Sequence, residues 1–299
     1  MAIIQLQGNE MEDLEIEILR SKQFTKSKNE YELMRQLFPN RINIVAEGDS
    51  WFDYPKTWML VGKPSNLIKH ISKFTRNKAN FLSLASNGDE AVEMVSGKQK
   101  HELVDILRWH ENDVNQPPID ILLFSGGGND LVGKNDFERF ILKNAESCNT
   151  AKECILMDRL DRKIKQIGLA YQELLDIRDH YSPTTTIITH TYDYPFPSLQ
   201  GGEFLGGLIK TKAWVKRFMD ASGIKEDLQS DVIKIFMDKM AEEVLNIADN
   251  RKRFIVVDSR KTLVGSQEWL NEIHPTSGGF KKIARIIFKQ MKKSAPLLA

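Results

Sequence analysis

The run Ile42-Asn43-Ile44-Val45-Ala46-Glu47-Gly48-Asp49-Ser50-Trp51 decides how the rest of the chain is read. Its β-branched first half predicts a short strand, and the Gly-Asp-Ser that follows predicts a tight turn into a helix. Four more apolar runs of this kind recur, at 81–84, 119–124, 184–189 and 253–257. Helical periodicity fills the spaces between them, at 67–71, 102–107, 161–178 and 232–248, and returns at 283–291. Strands alternating with helices in this way predict βαβ units and a five-stranded parallel sheet.

The 299 residues are 41% hydrophobic and 28% charged, which is ordinary globular composition. A formal net charge of +1 supplies no bulk field for nucleic acid or for an anionic membrane surface. No apolar run is long enough to span a bilayer. The stretch Met1–Glu10 lacks a basic and then apolar leader, so a cytoplasmic location is the expectation. Cys148 and Cys154 sit in a polar stretch and lack the spacing of a metal knuckle. A disulfide between them is open, and a structural or neutral role is expected.

Residues 1–40 read as a helical extension and 41–299 as the main domain. An insertion at about 200–249 begins with Gly201-Gly202 and Gly206-Gly207 around Phe204-Leu205. Glycine pairs flanking aromatics suit a lid or a substrate-binding rim, and an ordinary packed insertion reads equally well. The tripeptide Asp53-Tyr54-Pro55 recurs as Asp193-Tyr194-Pro195 and is taken as coincidence.

Four blocks stand at predicted strand ends, where ligands bind in an open parallel sheet. After the first strand, Ser50 sits on a tight turn preceded by Gly48, a geometry that projects a nucleophilic hydroxyl; a helix cap is the plainer reading. After the second, Gly88 can offer a backbone N–H to an oxyanion or simply serve a turn. After the third, Ser125-Gly126-Gly127-Gly128-Asn129-Asp130 lets backbone approach a ligand and presents the Asn129 amide as a donor. Near the C-terminus, Asn271-Glu272-Ile273-His274-Pro275-Thr276 offers a histidine base ahead of the last helix. Trp51, Asp130 and His190 lie beside these blocks as candidate substrate contacts, and for His190 a structural role packed near Tyr192 is the slightly favoured reading.

Gly48-Asp49-Ser50, Gly88, Gly128-Asn129-Asp130 and His274-Pro275, in that order, resemble the four sequence blocks of the SGNH/GDSL hydrolase superfamily. The resemblance covers about 42–291. It implies a flavodoxin-like three-layer α/β/α sandwich and hydrolysis of small-molecule, lipid or carbohydrate esters without metal or organic cofactor. It also implies Ser50 as nucleophile, His274 as base, and an oxyanion hole from the N–H groups of Ser50 and Gly88 and the side chain of Asn129. A carbohydrate O-acetyl esterase and a catalytically impaired binding protein are the alternatives on the same scaffold. Oligomeric state and acyl length are not legible.

One departure matters. The superfamily places aspartate three residues before the histidine, and this chain has Asn271. An asparagine carbonyl can accept the Nδ1–H bond but carries no charge, and in the serine-protease triad the same exchange lowers kcat by about 10⁴. A Ser50–His274 dyad, or recruitment of Asp258 or Glu272, would follow. Rival motifs are incomplete. Gly128 to Lys134 mimics a phosphate loop but is followed by Asn135, without the Mg²⁺-binding hydroxyl. His101-Glu102 and His110-Glu111 lack the second histidine of a zinc helix.

Overall fold

The computed structural model describes residues 17–22, 24–54, 65–108, 117–133, 136–199, 201, 203–204, 209–210 and 212–298. The expected strands form in sequence order as β2 (Ile42–Gly48), β3 (Ala79–Ser83), β4 (Ile121–Ser125), β5 (Thr186–His190) and β8 (Phe254–Val257). Strand β2 is buried along its full length, as a central strand covered on both faces must be. The sheet holds six parallel strands rather than five. The addition is β1 (Phe24–Thr25), a two-residue edge strand paired to β3, within a stretch read as purely helical. Two residues are too few for any periodicity to show. The helix after it, α1 (Lys28–Leu37), forms as expected and starts on a Ser27 cap.

The order β1-β3-β2-β4-β5-β8 contains the 2-1-3-4-5 pattern of flavodoxin-like sheets once the edge strand is set aside. The connections carry α2 (Ser50–Asp53) and α3 (Leu67–Phe74) after β2, and α4 (Ala91–Met94) and α5 (Gly97–Leu107) after β3. The next are α6 (Gly128–Val132) and the long α7 (Met157–Tyr181) after β4. A two-strand hairpin, β6 (Glu203–Phe204) with β7 (Ile209–Lys210), precedes α8 (Lys216–Ala221) and α9 (Glu226–Ala248), and α10 (Ser277–Ser294) closes the chain. Helix α3 packs on α10, and α7 packs on α9, α4 and α5, giving the two helical layers.

Much of the expected lid tip, including Gln200, Gly202 and 205–208, lies outside the described residues. The helical part of that insertion is packed. Helix α9 buries Val232, Phe236, Met240 and Val244, with the Phe236 ring 4.9 Å from that of Phe137. Cys148 and Cys154 are buried free thiols.

The chain order reverses between β2 and β4, and there the register pairs Gly48 with Ser125. An added Cβ at Gly48 would stand 2.8 Å from the Ser125 Cβ and 2.9 Å from the Phe52 ring. Only glycine lets the turn that carries Ser50 lie this close to β4. Gly48→Ala should therefore cost about 2 kcal/mol of stability through overpacking, read as a lower urea midpoint. A midpoint equal to wild type would show that the turn has room the packing denies.

Candidate active site

The ladder explains why three of the four blocks meet. Beyond the last paired residues, Asp49 N–H donates to Ser125 O at 3.0 Å, and Ser86 N–H donates to Gly48 O at 2.9 Å. The ends of β3, β2 and β4 thus stop side by side. The fourth block arrives from beyond β8 on a loop pinned by the Trp51 indole N–H, which donates to Ile273 O at 3.2 Å.

Ser50 opens α2, so its N–H has no intrahelical acceptor. Its Oγ lies 2.8 Å from His274 Nε2. His274 Nδ1 lies 3.0 Å from Asn271 Oδ1. That same oxygen accepts the backbone N–H groups of His274 at 2.9 Å and Ile273 at 3.2 Å, while Asn271 Nδ2 donates to Tyr54 OH at 3.1 Å. Two backbone donors can address only the amide oxygen, so the amide cannot flip. The imidazole must then carry its proton on Nδ1 and turn the Nε2 lone pair to Ser50. Burial with no charged partner pushes the His274 pKa down to about 3.

Neither recruited acid reaches the imidazole. The Glu272 carboxylate, fully buried, accepts the N–H groups of Trp214, Val215 and Lys216, tying the start of α8 to the histidine loop. Asp258 accepts from Thr191 and Arg260. Asn271 itself holds the position.

The remaining expected residues divide. Ser50, Trp51 and Asn129 line one narrow cleft with Gly128, Val132, Met237 and Ile273. The Asn129 amide spends one N–H on Asp89 O at 2.9 Å and has a second to offer. Gly88 occupies an exposed turn at φ +101 and is not among the residues lining the cleft. Asp130 is fully buried, accepting from Ala91 N–H at 2.7 Å with the Lys163 ammonium at 3.7 Å, so it braces α4 and does not face the cleft. His190 also lies inside, stacked on Trp51 with centroids 5.3 Å apart. Its Nδ1 accepts Tyr192 N–H, so its Nε2–H donates to Ser125 Oγ at 3.0 Å.

That bond belongs to a network that leaves no trace in the sequence. Buried Asp49 accepts Ser125 OH at 2.9 Å, Trp51 N–H at 3.0 Å and Tyr192 OH at 2.5 Å. Sequence reasoning likewise missed Tyr54, whose ring centroid lies 4.1 Å from that of His274. Its only trace in the sequence is the repeated Asp-Tyr-Pro. The two copies do different work, since Asp53 pairs with Lys26 and Asp193 accepts the N–H groups of Lys261 and Leu263.

Three donors favour the charged form of Asp49, but burial outweighs them and raises its pKa to about 6. A carboxyl raised from 3.8 favours the fold fully below its unfolded value and loses that contribution as pH climbs through about 6. Tyr192→Phe removes a donor that matters most to the ionised form. Its cost in urea unfolding should be about 1.5–3 kcal/mol at pH 8 and clearly smaller at pH 5. Equal costs at both values would mean that Asp49 keeps one protonation state throughout.

In overall fold the chain is similar to an extracellular lipase from Streptomyces rimosus, at 15% identity and TM-score 0.51, over 83% of this chain and 99% of that one. It is similar to the lipase Lip_vut3 from a goat rumen metagenome, at 14% identity and TM-score 0.50, over 85% and 97%. A family 3 carbohydrate esterase from Clostridium thermocellum aligns at 14% identity and TM-score 0.47, over 87% and 100%. No protein-family profile matches the chain, and no curated protein does.

Proposed function

We propose that this chain, which has the SGNH/GDSL hydrolase fold, is a serine hydrolase of carboxylic esters. The observation that carries the reading is the linear array Ser50 Oγ, His274 Nε2, His274 Nδ1, Asn271 Oδ1, with contacts of 2.8 and 3.0 Å. His274 takes the Ser50 proton as Oγ attacks the ester carbonyl, then returns it to the leaving alkoxide. Water repeats the sequence on the acyl-enzyme: its proton passes to His274, and Ser50 recovers one as the acid leaves.

The developing oxyanion is placed on Ser50 N–H and the second Asn129 N–H, each donor worth on the order of 2.7–4 kcal/mol in the transition state. Gly88, in its exposed turn, is left out of this assignment. The acyl chain is placed along Val132, Pro195, Met237 and Ile273, an apolar wall in a narrow cleft that favours short acyl groups.

Asn271 gives the correct tautomer but no charge for the imidazolium. A charge-assisted bond in its place is worth about 1.5–3 kcal/mol, or roughly 10- to 150-fold. Hydrolysis of p-nitrophenyl acetate, butyrate and laurate should fall to background in Ser50→Ala. It should rise by that factor in Asn271→Asp and decline with acyl length. Because His274 stays neutral far below pH 7, the wild-type rate should hold level from pH 8 down to 5, whereas Asn271→Asp should acquire an acid limb. Undiminished turnover in Ser50→Ala would end the serine-hydrolase reading.

A wild-type limb near pH 6.5 would instead show that burial does not control the base. A fluorophosphonate that labels wild type but not Ser50→Ala would identify the nucleophile independently of any chosen ester.

A further inference from the structure

The proposed mechanism creates an imidazolium in a buried place, and among the described residues no carboxylate is hydrogen-bonded to His274. Asp49 behind the nucleophile is turned to Ser125 and Tyr192, Glu272 to backbone N–H groups, and Asp258 to Arg260 and Thr191. Something else must face the charge. The Tyr54 ring, 1% exposed, lies with its centroid 4.1 Å from the imidazole centroid and its plane tilted by 40°. Its hydroxyl oxygen accepts Asn271 Nδ2–H at 3.1 Å. Its backbone carbonyl is held by Ser65 Oγ at 3.0 Å, so the residue is anchored from both ends. The Trp214 ring also meets the imidazole, edge to face at 5.7 Å, and His274 is 2% exposed.

We propose that Tyr54 is a positioning residue that takes over two roles of the missing aspartate. Its ring face stabilises the His274 imidazolium, and its hydroxyl fixes the Asn271 amide. A desolvated cation within about 6 Å of an aromatic centroid is attracted by the ring quadrupole. The neutral imidazole gains far less, so the contact strengthens as the proton arrives from Ser50, which is the condition for raising kcat rather than lowering KM. The Asn271 bond acts through geometry. It gives the amide nitrogen a partner, leaving the oxygen to the histidine.

This inference rests on the Ser50–His274 reading for its kinetic part only, because the charge on His274 can be titrated without any substrate. The Asn271→Asp background brings that titration into an accessible range. There, by nuclear magnetic resonance of the imidazole, the His274 pKa is referred to that in Tyr54→Phe, which keeps the ring and, like Tyr54→Leu, lacks the hydroxyl that could donate to the new carboxylate. Tyr54→Leu should lower it by about one unit, the size of a desolvated cation–π contact. A pKa in Tyr54→Leu equal to or above that in Tyr54→Phe overturns the proposal, because a merely space-filling ring, once removed, admits water and raises the value.

Should the leucine chain not fold, pentafluorophenylalanine in place of Tyr54 keeps the shape and reverses the quadrupole, and the same fall in pKa is expected. In the otherwise wild-type chain, Tyr54→Leu should cut kcat about tenfold with KM changed less than about twofold. Absence of ester turnover in wild type would defeat the hydrolase reading while the titration still decides the role of Tyr54.

Discussion

One buried carboxylate holds the cleft together. Asp49 follows β2 directly, Ser125 ends β4, and Tyr192 follows β5, and all three meet through Asp49 at 2.5–2.9 Å, with Trp51 N–H added at 3.0 Å. His190 joins from the end of β5 through Ser125. An ionisable group so placed costs free energy to desolvate and is tolerated only when its lone pairs are filled. Here they are filled by groups from three different strand ends. The carboxylate therefore specifies which strand ends converge, and Ser50, one residue on, inherits its position. The glycine ahead of it makes the approach to β4 possible, and the hydrogen bonds then fix it.

The histidine side obeys a different logic. Strand order brings β2, β3 and β4 together, but His274 lies beyond β8 and must be carried back across the cleft. Several ties do this, among them the Trp51 indole on Ile273 O, Phe196 N–H on Glu272 O, the Glu272 carboxylate on the start of α8 and Asn271 Nδ2–H on Tyr54 OH, and Thr276 then caps α10 through Gly279 N–H. Glu272 is thus committed to architecture, which is why proximity in sequence to the aspartate position did not make it a substitute acid. The same carboxylate seats Trp214, whose ring meets the imidazole. The segment around α8 is in this way wired to the candidate base.

The sheet was legible because its signal is local. Runs such as 42–46 and 119–124 are, apart from Asn43 and Asp120 near their starts, apolar on both faces, and a parallel sheet covered by helices requires that. That Ser50, His274 and Asn129 come together was legible because each sits at a strand end or before a helix, where few plain roles compete. Three things were not legible, for three reasons. Strand β1 is two residues long and is defined by its partner β3, not by itself. Strand-end position left two readings of His190 open, a cleft contact and packing near Tyr192; its ring packs 4.6 Å from that of Tyr192, and Tyr192, at φ +60, turns the chain just after it. Tyr54 and Tyr192 act through partners more than a hundred residues away, Asn271 and Asp49, and no spacing rule links such pairs.

The surroundings of Asn271 show why its lack of charge is a matter of chemistry and not of folding. Its oxygen receives three N–H groups, and its nitrogen faces a hydroxyl. A carboxylate of the same shape would find the same three donors, and Tyr54 OH would need only to rotate its hydrogen to become a fourth. A buried anion with four donors is well satisfied. The fold therefore admits aspartate at this position as readily as asparagine, and nothing in the packing demands the amide. What the amide changes is the base. Burial that strengthens every donor in a dry cleft also weakens a histidine, and the anion that would restore its basicity is absent. On the proposed reading orientation is complete and charge compensation falls to the neighbouring rings, so that His274 would stay neutral and proton-accepting at pH values where the histidine of a charged triad would be protonated.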